Sequence, residues 1–492
     1  MCLASLRNRN LEVIFVSVPM RYPLCKSKRD STGYMNKLHR TSLLSIVFGC
    51  ASGLWPLFAF SQEVLTKTTE MLVVAQEPAK YKWTLEEVKN IAFEKNPDLK
   101  SARSNYDAAS RGVGIATSGY LPHIDLSAKY DQTTLPSPSA GTSAQLGTAL
   151  PYKMAIASLN QTIFDFGKVL SKISSSRASS NAAEQEVISV HNAIELAVQK
   201  TFYDVESTSQ LVEVARKGLS KFDETLRRTE VLVRTGAKPK FDLSQARVEV
   251  GKAKLAFISA QNTHEFAEIA LLNLMGIPEQ AAFTLVDSGT PTEFVGVTSD
   301  KLKLPELIHK ALLARPEMKR QEFALDAARF NLSGELRNFL PTVSLQAWAG
   351  KFLPDYPPSI SDSWGVAVVG TWHVFEGLET TFKASQLSAK VDSQEALVEK
   401  DKLAIMAEVT RGYRDLNRSE NNLSVAEEAL EASKENLNLA QKRYDANVAT
   451  ILELLTAESS LLGAEATAVT ARYDHEVALA TLRRVVNAPL KD

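Results

Sequence analysis

Cysteine is scarce in this 492-residue chain, and its three copies, Cys2, Cys25 and Cys50, all fall in the first fifty residues. Residues 62–492 therefore have no thiol from which to make a disulfide. The seven histidines, His39, His123, His191, His264, His309, His373 and His475, are scattered without ligand spacing, so no metal site is supported. Gly112-x-Gly114 falls inside a predicted helix rather than between a strand and a helix, and no Walker loop or nucleophile motif appears, which argues against nucleotide binding and against an enzyme. Excess positive charge is missing too. Residues 1–61 carry eight Lys/Arg against Glu12 and Asp30, leaving 48 basic and 55 acidic residues in the remainder, a net of −7. A nucleic-acid partner is not expected from such a balance.

What the chain has in quantity is helix, written twice. From Glu379 to Asp445, Val409, Leu416, Leu423, Leu430, Leu437 and Tyr444 recur every seven residues. Small residues stand three places further on at Gly412, Ser419, Ala426, Ser433 and Ala440. A large seam beside a small one lets helix backbones approach closely along a supercoil. Moving back 211 places gives Val198, Val205, Val212, Leu219, Leu226 and Val233, apolar at every position. Lys168 to Arg234, free of proline, is thus a first copy of the same helix. Sixty-seven residues at the helical rise would reach about 100 Å.

The start of the chain reads as a leader. Residues 1–34 are expected to lie upstream of the true start, Met35 opens a signal peptide over 35–61, and Ala59-Phe60-Ser61 offers a small-x-small cleavage site before Gln62. Two alternatives use the same stretch. It could anchor the chain in a membrane, against which Gly49, Gly53 and Pro56 interrupt the apolar run, or Val47-Phe48-Gly49-Cys50 could be a lipid-attachment box with Cys50 as the first mature residue.

Taken in order, Tyr81 to Asn96 reads as a short helix with a capping box at Thr84 and Glu87, and Pro97 starts a second helix reaching about Gly119. A hairpin follows over about 122–163, its second strand expected at about Lys153 to Ile163, then the long helix 168–234, a turn at Thr235 to Pro239, and a return helix 241–275. These make a first repeat, 84–285. After a connector, 286–303, a second repeat occupies 304–488, with a hairpin at about 341–375, the long helix 379–445 and a return helix 451–488. Paired motifs differ by 219 before the hairpins, as for Asn96-Pro97 and Arg315-Pro316, and by 211 after them. The eight-residue change must lie inside the hairpins, with the longer loop in the first. The helix before each hairpin and the return helix, end to end, would span about 88 Å, so two short helices could pave one long one.

The hairpins carry the functional argument. Ile124, Leu126, Ala128 and Tyr130 alternate along one strand, Val343, Leu345, Ala347 and Ala349 along another, and Val366, Val368, Gly370 and Trp372 form one face of a third. Strands of about ten residues suit either a small soluble sheet or a tilted membrane crossing. In a bilayer four strands are too few to close a barrel. If they cross a membrane, several chains must pool them.

The ordered pairs Asn96-Pro97 and Arg315-Pro316, the Leu-Pro pairs at 121 and 340, Phe164-Asp165-Phe166-Gly167 with Phe375-Glu376-Gly377, and the turns near 236 and 447 resemble the TolC family of outer-membrane efflux proteins. The resemblance covers nearly all of residues 80–490. It implies a mainly α chain with a small β part: a long coiled-coil α-helical barrel continuous with a transmembrane β-barrel, four strands per chain, closed as a homotrimer of twelve. It further implies a passive exit channel in the outer membrane of a Gram-negative bacterium, with residues 62–83 opening the periplasmic part. Its partners would be a periplasmic adaptor (membrane fusion protein) and an inner-membrane pump of RND or ABC type, the pump supplying the energy for efflux or type I secretion. Adaptor-docking tips fall on Thr235, Gly236, Ala237 and Lys238 in the first repeat and on Asn447, Val448 and Ala449 in the second. The entrance gate falls on Tyr444 and Asp242, expected to bond each other, and on Glu453, expected to form an acidic ring. Ala449 and Thr456 stand where the family can have an arginine and a second acid, so a gate held by fewer bonds is implied. A periplasmic coiled coil without a pore is the competing reading of the helices.

Overall fold

A computed structural model describes residues 81–134, 149–278, 283–285, 299, 302–354 and 360–487. The expected signal peptide, the Cys50 box and most of the connector lie outside these residues. The two long helices have the bounds that their sequence suggests: α3 is Lys168–Arg234 and α7 is Glu379–Asp445, 67 residues each. The heptad seam points inward, half-buried at Val212, Leu219, Leu226, Val233, Leu423, Leu430 and Leu437. Val198, Val205, Val409, Leu416 and Tyr444 are buried, and Gly412, Ser419, Ala426 and Ala440 are buried beside them. On the first rod Gly218 shows how close the packing is, since a Cβ there would stand 2.7 Å from Leu462 Cδ1.

Shorter helices lie along these rods. Helices α1 (Leu85–Lys95), α2 (Pro97–Thr117) and α4 (Lys240–Leu274) pack on α3. Helices α5 (Leu304–Ala314), α6 (Pro316–Leu336) and α8 (Ile451–Val486) pack on α7, and α6 also contacts α3. The duplication reaches into the core. One cluster contains Val88, Ala92, Val198, Val205 and Leu271, and a second contains their counterparts Leu307, Ala311, Val409, Leu416 and Leu482. Thr84 forms the expected capping box with Glu87, and Asn96 caps α2 by accepting from Asp98 N and Leu99 N.

Two details differ from expectation. Tyr81–Trp83 is not helical but a strand, β1, paired in parallel with β4 (Phe283–Leu285), and Trp83 stacks on Phe283 at 5.1 Å. The strands of the hairpins are also longer than expected. They are β2 (His123–Thr134), β3 (Ala149–Phe164), β5 (Thr342–Pro354) and β6 (Ser361–Thr371), joined antiparallel in the order β2-β3-β5-β6. Trp372 falls just beyond β6. The segments between the strands are 135–148 in the first hairpin and 355–360 in the second, so the whole eight-residue difference sits at the loop.

The Phe-Asp-Phe-Gly motif is the joint between sheet and rod. Phe166 and Gly167 take left-handed backbone, φ 53° and 85°. Buried Asp165 then turns its carboxylate onto Gly167 N at 2.9 Å and Val169 N at 2.6 Å, capping α3. In the second copy Glu376 accepts from Thr380 Oγ1 at 3.0 Å. Arg337 binds Phe166 O and Ser171 Oγ, tying the second repeat to this joint in the first.

Candidate functional site

The far ends of the rods meet in one apolar cluster, which joins Phe222 and Ala253 of the first repeat to Tyr444, Ala449, Ile451, Leu454 and Leu455 of the second. Each rod ends in a left-handed residue. Gly236 has φ 75°, and its counterpart Asn447 has φ 59°, a conformation that asparagine tolerates better than most residues. The second turn thus needs no glycine. Thr235, Gly236, Ala237, Asn447 and Val448 are exposed and Lys238 is half-buried. Ala449 is a correction to the expected docking surface: it is 5 % exposed and belongs to the apolar cluster.

Of the gate residues, Tyr444 and Asp242 are brought together at the tip, but the hydrogen bond expected between them is not formed within one chain. Tyr444 is 2 % exposed and its Oη has no partner. Thr229, beside it, donates its hydroxyl to Thr225 O at 2.8 Å instead. Burial holds the Tyr444 phenol above the ordinary tyrosine range; the Thr229 hydroxyl beside it and Arg228 oppose the rise, while the carboxylates of Asp242 and Asp445 add to it. Lys238 Nζ stands 4.5 Å above the Tyr444 ring centroid, so a tip residue of one repeat covers the seam end of the other. Glu453 is about half exposed. Its carboxylate closes a capping box with Thr450 and lies 3.6 Å from Arg443 Nη2.

Sequence reasoning missed two links between the repeats at this end. Arg228 Nη2 meets Asp445 Oδ1 at 2.5 Å. Deeper in, Glu458 on α8 is 2 % exposed, and its Oε1 accepts from Thr225 Oγ1 at 2.8 Å while Oε2 has no partner. Burial pushes the Glu458 carboxyl up from the ordinary range, with Glu224 adding to the rise; the Thr225 bond and Lys221 oppose it. A glutamate in a helix gives no sequence sign of burial, though Thr225 stands next to the seam residue Leu226 of α3.

At the opposite end, the register of the sheet sorts its side chains into two faces. Row by row, Ile124 aligns with Leu159, Ala347 and Val366, and Leu126 with Ala157, Ala349 and Trp364. Val343 and Leu345 continue this face beside Gly370 and Val368. Leu126 is 84 % and Trp364 78 % exposed, an apolar surface that water does not favour. Lys153, Lys351 and Asp362 share the face only toward the loops. The other face carries His123, Asp125, Ser127, Lys129, Ser158, Asn160, Ser344 and Gln346. One face suits hydrocarbon and the other water. Strands β2 and β6 are the two edges of the sheet, each paired on one side only among the described residues.

Among the described residues, no helix is long and apolar enough to cross a membrane, and no group of three or more His, Cys, Asp or Glu is placed to hold a metal ion.

The family described as "Outer membrane efflux protein" matches residues 89–277 and 307–488, both halves of the duplication. The chain is 24 % identical over 382 residues to the probable efflux pump outer membrane protein TtgC of Pseudomonas putida, covering 75 % of this chain and 76 % of that protein. It is 25 % identical over 386 residues to the solvent efflux pump outer membrane protein SrpC of Pseudomonas putida, covering 76 % and 78 %. Among solved structures it is similar to the outer-membrane channel OprN, with a TM-score of 0.73 at 19 % identity, covering 82 % of this chain and 90 % of that one. With both repeats matched and the whole rod-and-sheet fold shared, the chain belongs to the outer membrane efflux protein family and is an outer-membrane exit channel of TolC type.

Proposed function

We propose that three copies of this chain form the exit channel of a tripartite efflux pump or type I secretion system. The observation that carries the reading is the four-stranded sheet with one apolar face and two open edges. Backbone groups at those edges would be unpaired in a bilayer, and each unpaired group costs several kcal/mol. Pairing β2 of one copy with β6 of the next removes the cost, and three copies would give the twelve strands that the family resemblance implies. The paired rods then continue the barrel through the periplasm as a helical tube, and Asp242, Tyr444 and Glu453 sit at its inner end.

In this assembly the exposed Thr235, Gly236, Ala237, Asn447 and Val448, with half-buried Lys238, meet a periplasmic adaptor that joins the channel to an inner-membrane pump of RND or ABC class. The chain itself performs no catalytic step; cargo moves because the pump drives it. The names of relatives such as TtgC and SrpC support an efflux role. Glu453, repeated in three copies, would favour cations at the entrance, although Arg443 beside it in each chain reduces the effect. Planar-bilayer recording tests the reading. Purified protein should give discrete, cation-preferring conductance without nucleotide, and Glu453→Ala should lower that preference. Absence of any conductance would overturn the channel, whereas unchanged selectivity in Glu453→Ala would remove only Glu453 from the entrance.

A further inference from the structure

The polar face of the sheet is interrupted by one apolar strip. Trp348 and Phe352 on β5 and Met154 and Ile156 on β3 share this face with the serines and charged groups named above. Within these rows the strip is confined to the two central strands, and further along the same face β6 adds Ala367 and Val369 beside Gln346 and Ser344. In the same rows β2 contributes Asp125, Ser127 and Lys129, and β6 contributes Gly365, Ser363 and Ser361.

Two glycines shape the strip. Gly365 lies directly across from Trp348, and a Cβ there would stand 2.2 Å from Trp348 Cζ2 and 2.6 Å from Cη2. The indole therefore occupies the space above the Gly365 backbone, lying along the sheet rather than projecting from it. One strand over, Ile156 lies against Gly350, where a Cβ would meet Ile156 Cγ1 at 2.7 Å and Ala155 O at 2.3 Å. Glycine weakens a strand interior, and a position of this kind often marks close approach by another group. At Gly365 the approaching group is the indole of the neighbouring strand, and at Gly350 it is the backbone of β3 together with the Ile156 side chain. Trp348 nonetheless keeps 38 % of its surface exposed, so one ring face stays open.

We propose that Trp348, laid over Gly365 on the face that also carries Ile156, Met154 and Phe352, is a cargo-contacting residue of the channel wall, taking small apolar aromatic molecules by ring contact as they pass. The inference rests on the exit-channel reading, because only there does the polar face line the lumen. Lipid is the competing occupant of an exposed indole, and the register assigns it to the opposite face, where Trp364 stands. An aromatic pair is worth about 0.5–1.5 kcal/mol beyond its buried area. Contacts this weak release cargo quickly, as a conduit requires.

The test uses two single-tryptophan versions of the full chain, in which Trp55, Trp83, Trp372 and either Trp364 or Trp348 become Phe. Both are reconstituted into vesicles of brominated phosphatidylcholine. Trp348 emission should resist the brominated lipid and be quenched by acrylamide from water, and toluene should shield it from acrylamide while an equal concentration of glycerol does not. Trp364 should be quenched by the brominated lipid. Quenching of Trp348 by the lipid would overturn the face assignment. Shielding by toluene no greater than by glycerol would leave the channel standing and overturn the cargo contact. Failure of the lipid to quench either residue would overturn the membrane sheet and this proposal together.

Discussion

Replacing Thr225 by Val should loosen the inner end of the rods, and the loosening should depend on pH. The substitution keeps the shape of the side chain and removes one hydroxyl, the donor to Glu458 Oε1 at 2.8 Å. Because Oε2 has no partner, the change leaves a 2 %-exposed carboxyl with no hydrogen bond at all. A hydrogen bond to a charged group contributes about 1.5–3 kcal/mol and one to a neutral group about 0.5–1.5 kcal/mol. The raised pKa of Glu458 fixes the sign. A carboxyl held above its unfolded value gives its full contribution below that unfolded value and loses it as pH rises through the folded value. The wild-type tip should therefore tighten toward acid. The Thr225→Val deficit should be largest where Glu458 is ionised and shrink as it takes up its proton. Hydrogen exchange of peptides covering 451–465, corrected for the intrinsic pH dependence of exchange, reads local opening directly. A deficit of that size corresponds to opening roughly ten- to hundredfold more frequent with Glu458 ionised. Thr225→Val/Glu458→Gln should abolish the pH dependence. An equal deficit at every pH would refute the assignment of a titrating, Thr225-bound carboxyl.

The junction of α5 with α7 should respond asymmetrically to removal of its charges. Arg315 is 3 % exposed and reaches Glu408 at 2.6 Å, but its Nε and Nη2 have no partner, whereas Glu408 also meets Arg484 at 3.1 Å. Arg315→Met should be neutral or stabilising in thermal unfolding, and Glu408→Ala should cost about 3–5 kcal/mol by leaving a buried guanidinium unpaired; equal losses from the two would contradict this. At the tips, single cysteines at Gly236 and Val448 should crosslink the channel to its adaptor in membranes, while a cysteine at buried Ala449 should not. Capture by all three alike would mean that the tip opens before docking.

The rods were legible because each has a continuous seven-residue seam and no proline, and their bounds follow from both features. The eight-residue offset likewise located the longer loop from arithmetic alone. Strands β1 and β4 were not legible: three residues are too few to show alternation, and their partners lie some two hundred positions apart. Ala449 sits at the right place in sequence for a docking tip, but the turn set by Asn447 carries it inward onto Ile451 and Leu454. The Tyr444–Asp242 bond failed for a related reason. Sequence gives proximity at a helix end, but a hydrogen bond needs an orientation that the single chain does not impose.

Disulfide trapping across the two open edges reads closure of the sheet between copies. Because residues 62–492 contain no cysteine, one cysteine at Ala128 on β2, scanned against one at Val366, Val368 or Gly370 on β6, reports on those edges. At least one pair should lock the protein in membranes into a covalent three-chain product and nothing larger. Only intramolecular products, or an open-ended ladder of higher species, would contradict it.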